Sequence, residues 1–219
     1  MTYAATTKTK SHEPSSFFWD RIATRYSRKP IANIEVYEAK LAITQQYLDP
    51  AMEVLELGCG TGGTTMIHAD HVKRIVATDL SPAMIEIARK RLESSKIRNV
   101  EFMTSSVESL GLAPRSVDAV LGLSLLHLLK DRNAAIRKVA DALRPGGLFV
   151  TSTPCLANGM GWMRFVQPVG SLLGIMPEFT IFSKDTLQRE FVEAGFRIEE
   201  EFEPDDGRTL FMIARIAAN

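Results

Sequence analysis

Two acidic residues and a group of glycines have a spacing that could support ligand chemistry. The apolar run that contains Glu56 leads directly into a turn where Gly58, Gly60 and Gly63 fit the pattern G-x-G-x-x-G. Glycine lets a ligand approach the backbone closely, and a helix that follows such a turn offers unpaired N–H groups. A second apolar run ends at Asp79, 21 residues after Gly58, near the spacing expected of a carboxylate that binds ribose hydroxyls. These spacings predict an adenosine-type ligand across the ends of two parallel strands.

Alternating strand and helix patterns position these residues. Apolar runs predict strands at 53–57, 74–79, 100–103, 117–122, 148–153, 196–202 and 209–216. Amphipathic stretches predict helices at 17–26, 35–48, 64–71, 83–95, 131–143 and 183–194. Strands that alternate with helices favour a parallel, doubly wound sheet. We therefore expect an α/β, Rossmann-like fold of seven mostly parallel strands, with helices on both faces and an antiparallel closing strand.

Composition argues against several classes of protein. Lys and Arg together number 26, as do Asp and Glu, so the formal net charge is zero and broad nucleic-acid binding is not expected. Two cysteines provide no disulfide framework. The first 16 residues are polar, which predicts no secretory signal. No apolar run reaches the roughly 18 residues of a membrane span, so we expect a cytoplasmic protein without stable membrane insertion.

Four motifs resemble one enzyme family in both order and spacing. They are VLELGCGTG at 54–62, DLSPAMI at 79–85, VDAV at 117–120 and LRPGG at 143–147. Together they resemble the class I S-adenosylmethionine-dependent methyltransferases, and most closely the small-molecule branch with its ubiquinone and menaquinone methyltransferases. The resemblance covers about residues 53–153. It implies S-adenosylmethionine as cofactor, S-adenosylhomocysteine as product, and in-line methyl transfer to a small, apolar acceptor.

The resemblance also implies roles for individual residues. Glu56 stands where the family places an acid near the methionine end of the cofactor, and Asp79 stands where it binds the ribose. The other residues expected at the cofactor are Trp19, Tyr26, Gly58, Cys59, Gly60, Leu80, Met84, Ser106, Val107 and Leu123. Ser106 departs from the family, which often has an acidic residue there to accept from the adenine amino group, although a hydroxyl also accepts a hydrogen bond.

Several of these residues have a plainer interpretation. Glu56 could cap the local turn, and Asp79 could be a solvated acid at a strand end. Met84 belongs to an apolar helix pattern with Ile87 and Ala88, so it fits the core as well as the adenine. Cys59 could be a small packing residue inside the turn.

His127 is the candidate catalytic residue. It follows the fourth strand, where a parallel sheet opens its ligand crevice, and it could act as general base on an acceptor hydroxyl. The alternative is a histidine that packs in an apolar turn. His68 and His71 are three residues apart without further partners in the sequence, so no metal site is predicted.

The chain divides into a predicted tail, lid and main domain. Residues 1–14 are rich in Thr, Lys and Ser, which favours disorder. Residues 15–50 predict an N-terminal helical lid, whose apolar face could simply pack on the sheet. Residues 51–219 form the expected methyltransferase domain, with an apolar insert at 155–177 in which only Arg164 is charged. That insert could cap the acceptor, form a dimer interface or touch a membrane peripherally, so a monomer and a homodimer both stay open.

Two rival functions fit part of the pattern. The glycine turn allows an NAD(P)-dependent oxidoreductase, although Glu56 and the LRPGG motif do not support one. A non-catalytic module that binds S-adenosylmethionine would keep the fold, but the intact Glu56, glycine turn and Asp79 argue against it. The acceptor atom is left open.

Overall fold

The helices and strands follow the predicted alternation. A computed structural model describes residues 14–157, 167, 170, 176–204 and 207–218. Its helices are α1 (Pro14–Ser27), α2 (Ile34–Tyr47), α3 (Gly63–His68), α4 (Pro82–Glu93), α5 (Arg132–Ala142) and α6 (Lys184–Glu193). Its strands are β1 (Glu53–Leu57), β2 (Arg74–Asp79), β3 (Val100–Thr104), β4 (Val117–Leu123), β5 (Leu143–Pro154), β6 (Phe196–Phe202) and β7 (Thr209–Ile216). Short 3₁₀ turns occupy Ala69–His71 and Leu126–Leu128.

The seven strands form one sheet in the order β3-β2-β1-β4-β5-β7-β6. Strands β1 to β5 pair in parallel, whereas β7 pairs antiparallel with both β5 and β6. The predicted doubly wound sheet with an antiparallel closing strand is therefore confirmed. The carboxyl ends of β1, β2 and β4 meet at one edge, which is where such sheets bind ligands.

The predicted start of the fifth strand was wrong. The sequence placed the strand at 148 because Arg144-Pro145-Gly146-Gly147 indicates a helix stop, but β5 begins at Leu143, which pairs with Val117. Helix α5 ends at Ala142, and the chain continues into β5 through an irregular register that includes Gly146 at φ = 77°. At Gly147 a Cβ atom would lie only 2.9 Å from the carbonyl oxygens of Arg144 and Asp118, so the strands can approach only with glycine there.

Helices cover both faces of the sheet because strand side chains alternate in direction. Val54 belongs to the apolar cluster under α2, α3 and α4, whereas Leu55 belongs to the cluster under α5 and α6. On the second face Phe149 stacks on Phe191 with ring centroids 5.2 Å apart. No helix in the described ranges is long and apolar enough to cross a membrane.

A serine and an aspartate tie α1 to the start of α4. Ser81 caps α4 by accepting a hydrogen bond from the Met84 N–H, as the Ser81-Pro82 pair predicts. Asp20 of α1 accepts hydrogen bonds from the Ser81 hydroxyl at 2.5 Å and from the Ala83 N–H at 3.2 Å. A negative side chain at the N-terminus of a helix is favourable, so α1 is fixed on α4 by charge as well as by packing.

Replacing Gly62 by alanine should destabilise the fold, whereas replacing Gly63 should not. Gly62 has φ = 75°, and a Cβ there would lie 2.5 Å from the Phe102 ring. Left-handed backbone and overpacking together predict a loss of about 2–5 kcal/mol for Gly62→Ala. Gly63 begins α3 with no atom within 4 Å of an added Cβ, so Gly63→Ala should be neutral or stabilising by up to about 1 kcal/mol. Urea unfolding of both variants checks this, and equal losses would contradict it.

Candidate functional site

The glycine turn after β1 exposes its backbone at the carboxyl edge of the sheet. Gly58 and Gly60 have φ values of 68° and 54°, a region that favours glycine. The Cys59 N–H donates to the Thr78 carbonyl at 2.9 Å, which holds the turn against the end of β2. A Cβ on Gly58 would lie 2.9 Å from Leu125 Cδ1, so a larger residue would fill the space between the turn and the loop after β4.

Asp79 joins the glycine turn to the start of α4. Its Oδ2 accepts a hydrogen bond from the Gly60 N–H and its Oδ1 accepts one from the Ser81 N–H, both at 2.9 Å. Burial raises the pKa of Asp79, and these two backbone donors oppose that rise. Sequence spacing pointed to Asp79 as a ligand contact but did not show that it also fixes the turn.

Two cavities meet at Gly58. The first, here called the α2 cavity, has a volume of about 290 Å³ and lies between α2, α3 and the ends of β1, β4 and β5. Its walls are Tyr26, Ile31, Tyr37, Lys40, Leu41, Thr44, Glu56, Gly58, Cys59, Gly60, Thr64, His68, Leu123, Ser124 and Ser152. The second, here called the β3 cavity, has about 410 Å³. Its walls are Trp19, Gly58, Leu80, Ser105, Ser106, Val107, Glu108, Leu125, Leu128, Leu129, Lys130, Asp131, Pro177 and Glu178.

Most residues expected at the cofactor line one of these cavities. The α2 cavity contains Tyr26, Glu56, Gly58, Cys59, Gly60 and Leu123. The β3 cavity contains Trp19, Gly58, Leu80, Ser106 and Val107. The Ser106 hydroxyl already accepts from the Ser109 N–H at 3.2 Å, which closes a local turn. The fold thus gathers residues that are up to 104 positions apart in the chain, from Trp19 to Leu123, around one glycine.

Two of the expected cofactor contacts, Asp79 and Met84, line neither cavity. The side chain of Met84 is only 2% exposed, so it has almost no surface to offer a ligand. The helix pattern with Ile87 and Ala88 therefore fits packing of α4 on the sheet, and the expected contact of Met84 with the cofactor stays a prediction.

Glu56 has a buried carboxyl group, and one of its two oxygens lacks a partner among the described residues. The residue is 3% exposed, and Oε2 makes no hydrogen bond to any described residue. Burial raises the pKa of Glu56 to about 7, and the charge of Asp79 adds to the rise. An unpaired buried carboxylate is unfavourable, and a cation that enters the α2 cavity would relieve that cost. The residue therefore fits an ammonium group such as that of a methionine moiety.

Helix α1 spans both cavities. Trp19 lines the β3 cavity and Tyr26 lines the α2 cavity, with their rings edge to face at 6.2 Å. Partial burial and the charge of Asp79 raise the pKa of Tyr26. Arg91 of α4 donates to the carbonyl oxygens of Thr61 and Ser27, which binds the end of α1 to the glycine turn.

His127 lies in the 3₁₀ turn after β4 and lines neither cavity. Its carbonyl oxygen accepts from the Thr180 N–H at 2.7 Å, while its Nδ1 is buried without a partner among the described residues. Burial lowers the pKa of His127 to about 4. Its predicted role as general base stays a prediction.

Several cavity residues were not found from the sequence. Lys40 and Tyr37 belong to α2, which looked like an ordinary amphipathic helix, and Ser152 belongs to β5. His68 is fully buried, and neither ring nitrogen has a partner among the described residues. Only spatial proximity connects these residues, because no short motif contains them.

Within the described ranges no group of three or more His, Cys, Asp or Glu side chains could hold a metal ion. Most of the predicted cap at 155–177 lies outside the described residues.

Comparisons with known proteins agree with this geometry. Residues 54–147 match the family model described as "Methyltransferase domain". The chain is 35% identical over 154 residues to a ubiquinone biosynthesis O-methyltransferase of Xanthomonas campestris pv. campestris (strain B100), a match covering 69% of this chain and 63% of that protein. It is 28% identical over 153 residues to a malonyl-[acyl-carrier protein] O-methyltransferase of Serratia marcescens, covering 70% of this chain and 56% of that protein. The chain therefore spans less than two thirds of the length of either relative.

The fold also matches solved structures. A chain from the complex between the Haloferax volcanii Trm112 methyltransferase activator and a putative methyltransferase superimposes with a TM-score of 0.71. That match has 18% identity and covers 94% of this chain and 98% of the other. Motifs, sheet order and matches together define a class I S-adenosylmethionine-dependent methyltransferase. Within that family the chain is similar to the ubiquinone biosynthesis O-methyltransferase reported above.

Acid should destabilise the protein through its buried histidines. Burial lowers the pKa of His68 and of His127 to about 4 from 6.5, so between these values the unfolded chain binds protons that the folded chain does not. Stability should fall as the pH drops from 6.5 towards 4, by up to about 1.4 kcal/mol per pH unit for each histidine. Glu56 has the opposite effect on stability. Its pKa is raised from 4.5 to about 7, so the stability that it contributes falls as the pH rises from 4.5 towards 7.

Urea unfolding between pH 4.5 and 6.5 measures this slope. His68→Leu should reduce the pH dependence by about one proton, since only one histidine then titrates differently in the two states. The same slope in the variant and the parent would contradict the assignment to His68.

Proposed function

We propose that this protein transfers the methyl group of S-adenosylmethionine to a small, apolar acceptor by in-line displacement. One observation carries the proposal: the buried carboxyl of Glu56, whose Oε2 has no hydrogen-bond partner among the described residues, and the turn fixed by Asp79 lie beside Gly58, where the two cavities meet. A ligand with an ammonium at one end and an adenosine at the other has the chemistry that these walls require.

In this proposal the methionine end of the cofactor lies in the α2 cavity and its adenine lies in the β3 cavity. Glu56 would accept hydrogen bonds from the ammonium of the methionine end, and Asp79 would accept from the ribose hydroxyls with its remaining lone pairs. Trp19, Leu80 and Val107 would enclose the adenine in the β3 cavity. When bound, S-adenosylmethionine supplies a methyl group that its sulfonium already activates.

The protein's contribution to the reaction is orientation and exclusion of water. Helix α1 covers the meeting point of the cavities, held there by Asp20 and Arg91. Holding two reactants in line can contribute roughly 7–11 kcal/mol to barrier lowering. In this proposal residues 15–50 form the lid.

Oxygen is the favoured acceptor atom. The two relatives compared above are both named O-methyltransferases. His127 remains a proposed general base for an acceptor hydroxyl. Its lowered pKa keeps the imidazole neutral at pH 7, which is the form that accepts a proton.

Binding of S-adenosylhomocysteine should occur at one site and depend on Asp79. Loss of a hydrogen-bonded charge in Asp79→Ala should weaken binding by about 1.5–3 kcal/mol, measured by titration calorimetry. Because Asp79 also accepts from the Gly60 and Ser81 N–H groups, the melting temperature of the variant must be measured alongside. Asp70→Ala, at an exposed position after α3, is the matched control and should bind normally.

A specific result would contradict the proposed function. Saturable binding of NADH with no response to S-adenosylhomocysteine would assign the site to an oxidoreductase instead. Tight binding of S-adenosylhomocysteine without conversion of S-adenosylmethionine by any acceptor would favour a non-catalytic binding module.

A further inference from the structure

One side of the α2 cavity is not used by the proposed cofactor contacts. Glu56 on β1 lines one side, whereas Ser152 on β5 lines the other, with β4 between them. Two strand spacings place these residues about 10 Å apart across the sheet. Leu121 aligns with both Glu56 and Val150, so Ser152 also lies two residues nearer the carboxyl edge. A group bound at Ser152 is therefore distinct from the ammonium bound at Glu56.

The ammonium group of Lys40 lies at the Ser152 side of the α2 cavity. Its Nζ donates a hydrogen bond to Ser152 Oγ at 2.9 Å, which joins α2 to the end of β5. Lysine normally keeps its ammonium in water, but here the half-buried side chain ends inside a cavity. A serine hydroxyl that accepts a hydrogen bond still has its own proton to donate. Lys40 and Ser152 together therefore form a donor pair suited to an anionic oxygen.

The backbone beside this donor pair is strained. Ser124 follows β4 with φ = 56°, an unusual value for a residue other than glycine, and it lines the same cavity. Its N–H donates to the Ser152 carbonyl at 2.7 Å, which holds the strained residue next to the pair. Such strain concentrates at ligand sites, where the surrounding structure enforces it.

Part of the remaining wall is apolar and partly exposed, although Tyr37, Thr44, Thr64 and His68 also line the cavity. Ile31, which is 49% exposed, and Leu41 line the cavity together with the ring of Tyr26. Their surfaces suit the hydrophobic body of a ligand, while Lys40 and Ser152 suit its charged end. An amphipathic acid matches both.

We propose that the acceptor carries an ionised oxygen, a carboxylate or a phenolate, which Lys40 and Ser152 bind. This inference rests on the proposed function. The acceptor oxygen attacks the methyl carbon, a C–O bond forms, and the C–S bond breaks with its electron pair left on sulfur. The negative charge of the oxygen and the positive charge of the sulfonium cancel, which gives a neutral ester or ether and S-adenosylhomocysteine. Lys40 favours the anion by lowering the pKa of the bound acid.

Four probes with the same apolar body test the charge requirement. They are 4-butylbenzoate, 4-butylcatechol, 4-butylbenzamide and 4-butylaniline, each titrated into the complex of the protein with S-adenosylhomocysteine. The benzoate or the catechol should bind, and the amide and the aniline should not. Binding of the benzoate identifies a carboxylate, and binding of the catechol together with the ultraviolet absorbance of its phenolate identifies a phenolate. Release of S-adenosylhomocysteine from S-adenosylmethionine should follow the same order.

Variants of the donor pair test the residues. Lys40→Met should weaken binding of the acidic probe about tenfold to a hundredfold, the loss of a charged hydrogen bond. Lys40→Arg should retain most of the affinity, and Ser152→Ala should give a smaller loss than Lys40→Met. All three should bind S-adenosylhomocysteine as the parent does. Lys90→Met, which removes an exposed ammonium from α4, is the matched control and should change nothing.

Three results would overturn the inference. Equal binding of charged and neutral probes, or binding of none, would remove the requirement for an ionised oxygen. A loss of S-adenosylhomocysteine affinity in Lys40→Met equal to the loss for the acid would assign Lys40 to the cofactor carboxylate, with the proposed function intact. Failure of the parent protein to bind S-adenosylhomocysteine would instead refute the proposed function itself.

Discussion

The site depends on the carboxylate of Asp79, which holds two separate chain segments in one arrangement. It stands at the end of β2 and accepts from the Gly60 N–H on one side and the Ser81 N–H on the other. The glycine turn and the start of α4 are thus fixed by one side chain. Charge-assisted hydrogen bonds of this kind are stronger than neutral ones, so the same carboxylate orders the turn and defines the edge of the ligand crevice.

The buried carboxyl of Glu56 beside the glycine turn lowers the stability of the fold. Glu56 is almost fully buried, its Oε2 has no partner among the described residues, and burial raises its pKa to about 7. A leucine at the same place on β1 would pack without that cost. In the proposed function a cationic ligand would supply the partner that Oε2 lacks among the described residues.

The two N-terminal helices have different tasks around this edge. Helix α1 is held to α4 through Asp20 and Arg91, and it places Trp19 and Tyr26 over the two cavities. Helix α2 instead brings Lys40 to Ser152 at the far side of the α2 cavity. One helix therefore covers the proposed cofactor site, and the other shapes the side from which an acceptor would approach.

The sequence by itself determined the fold class, the family and the main cofactor candidates. Strand and helix periodicities are local properties, and the motifs around Gly58, Asp79 and Gly147 are contiguous, so both are visible in one chain. Errors occurred where local signals conflicted with pairing. Leu143 joined β5 despite the helix stop beside it, since pairing with Val117 outweighs the local preference.

Only the tertiary structure decided which scattered side chains share a wall. Met84 and Leu80 are four residues apart and both fit a ligand pattern, yet the packing of α4 buries one and leaves the other at the β3 cavity. Lys40 and Ser152 are 112 positions apart and belong to no motif. Their contact exists because α2 lies across the α2 cavity from the ends of β1, β4 and β5, and this arrangement depends on long-range packing that no local pattern encodes.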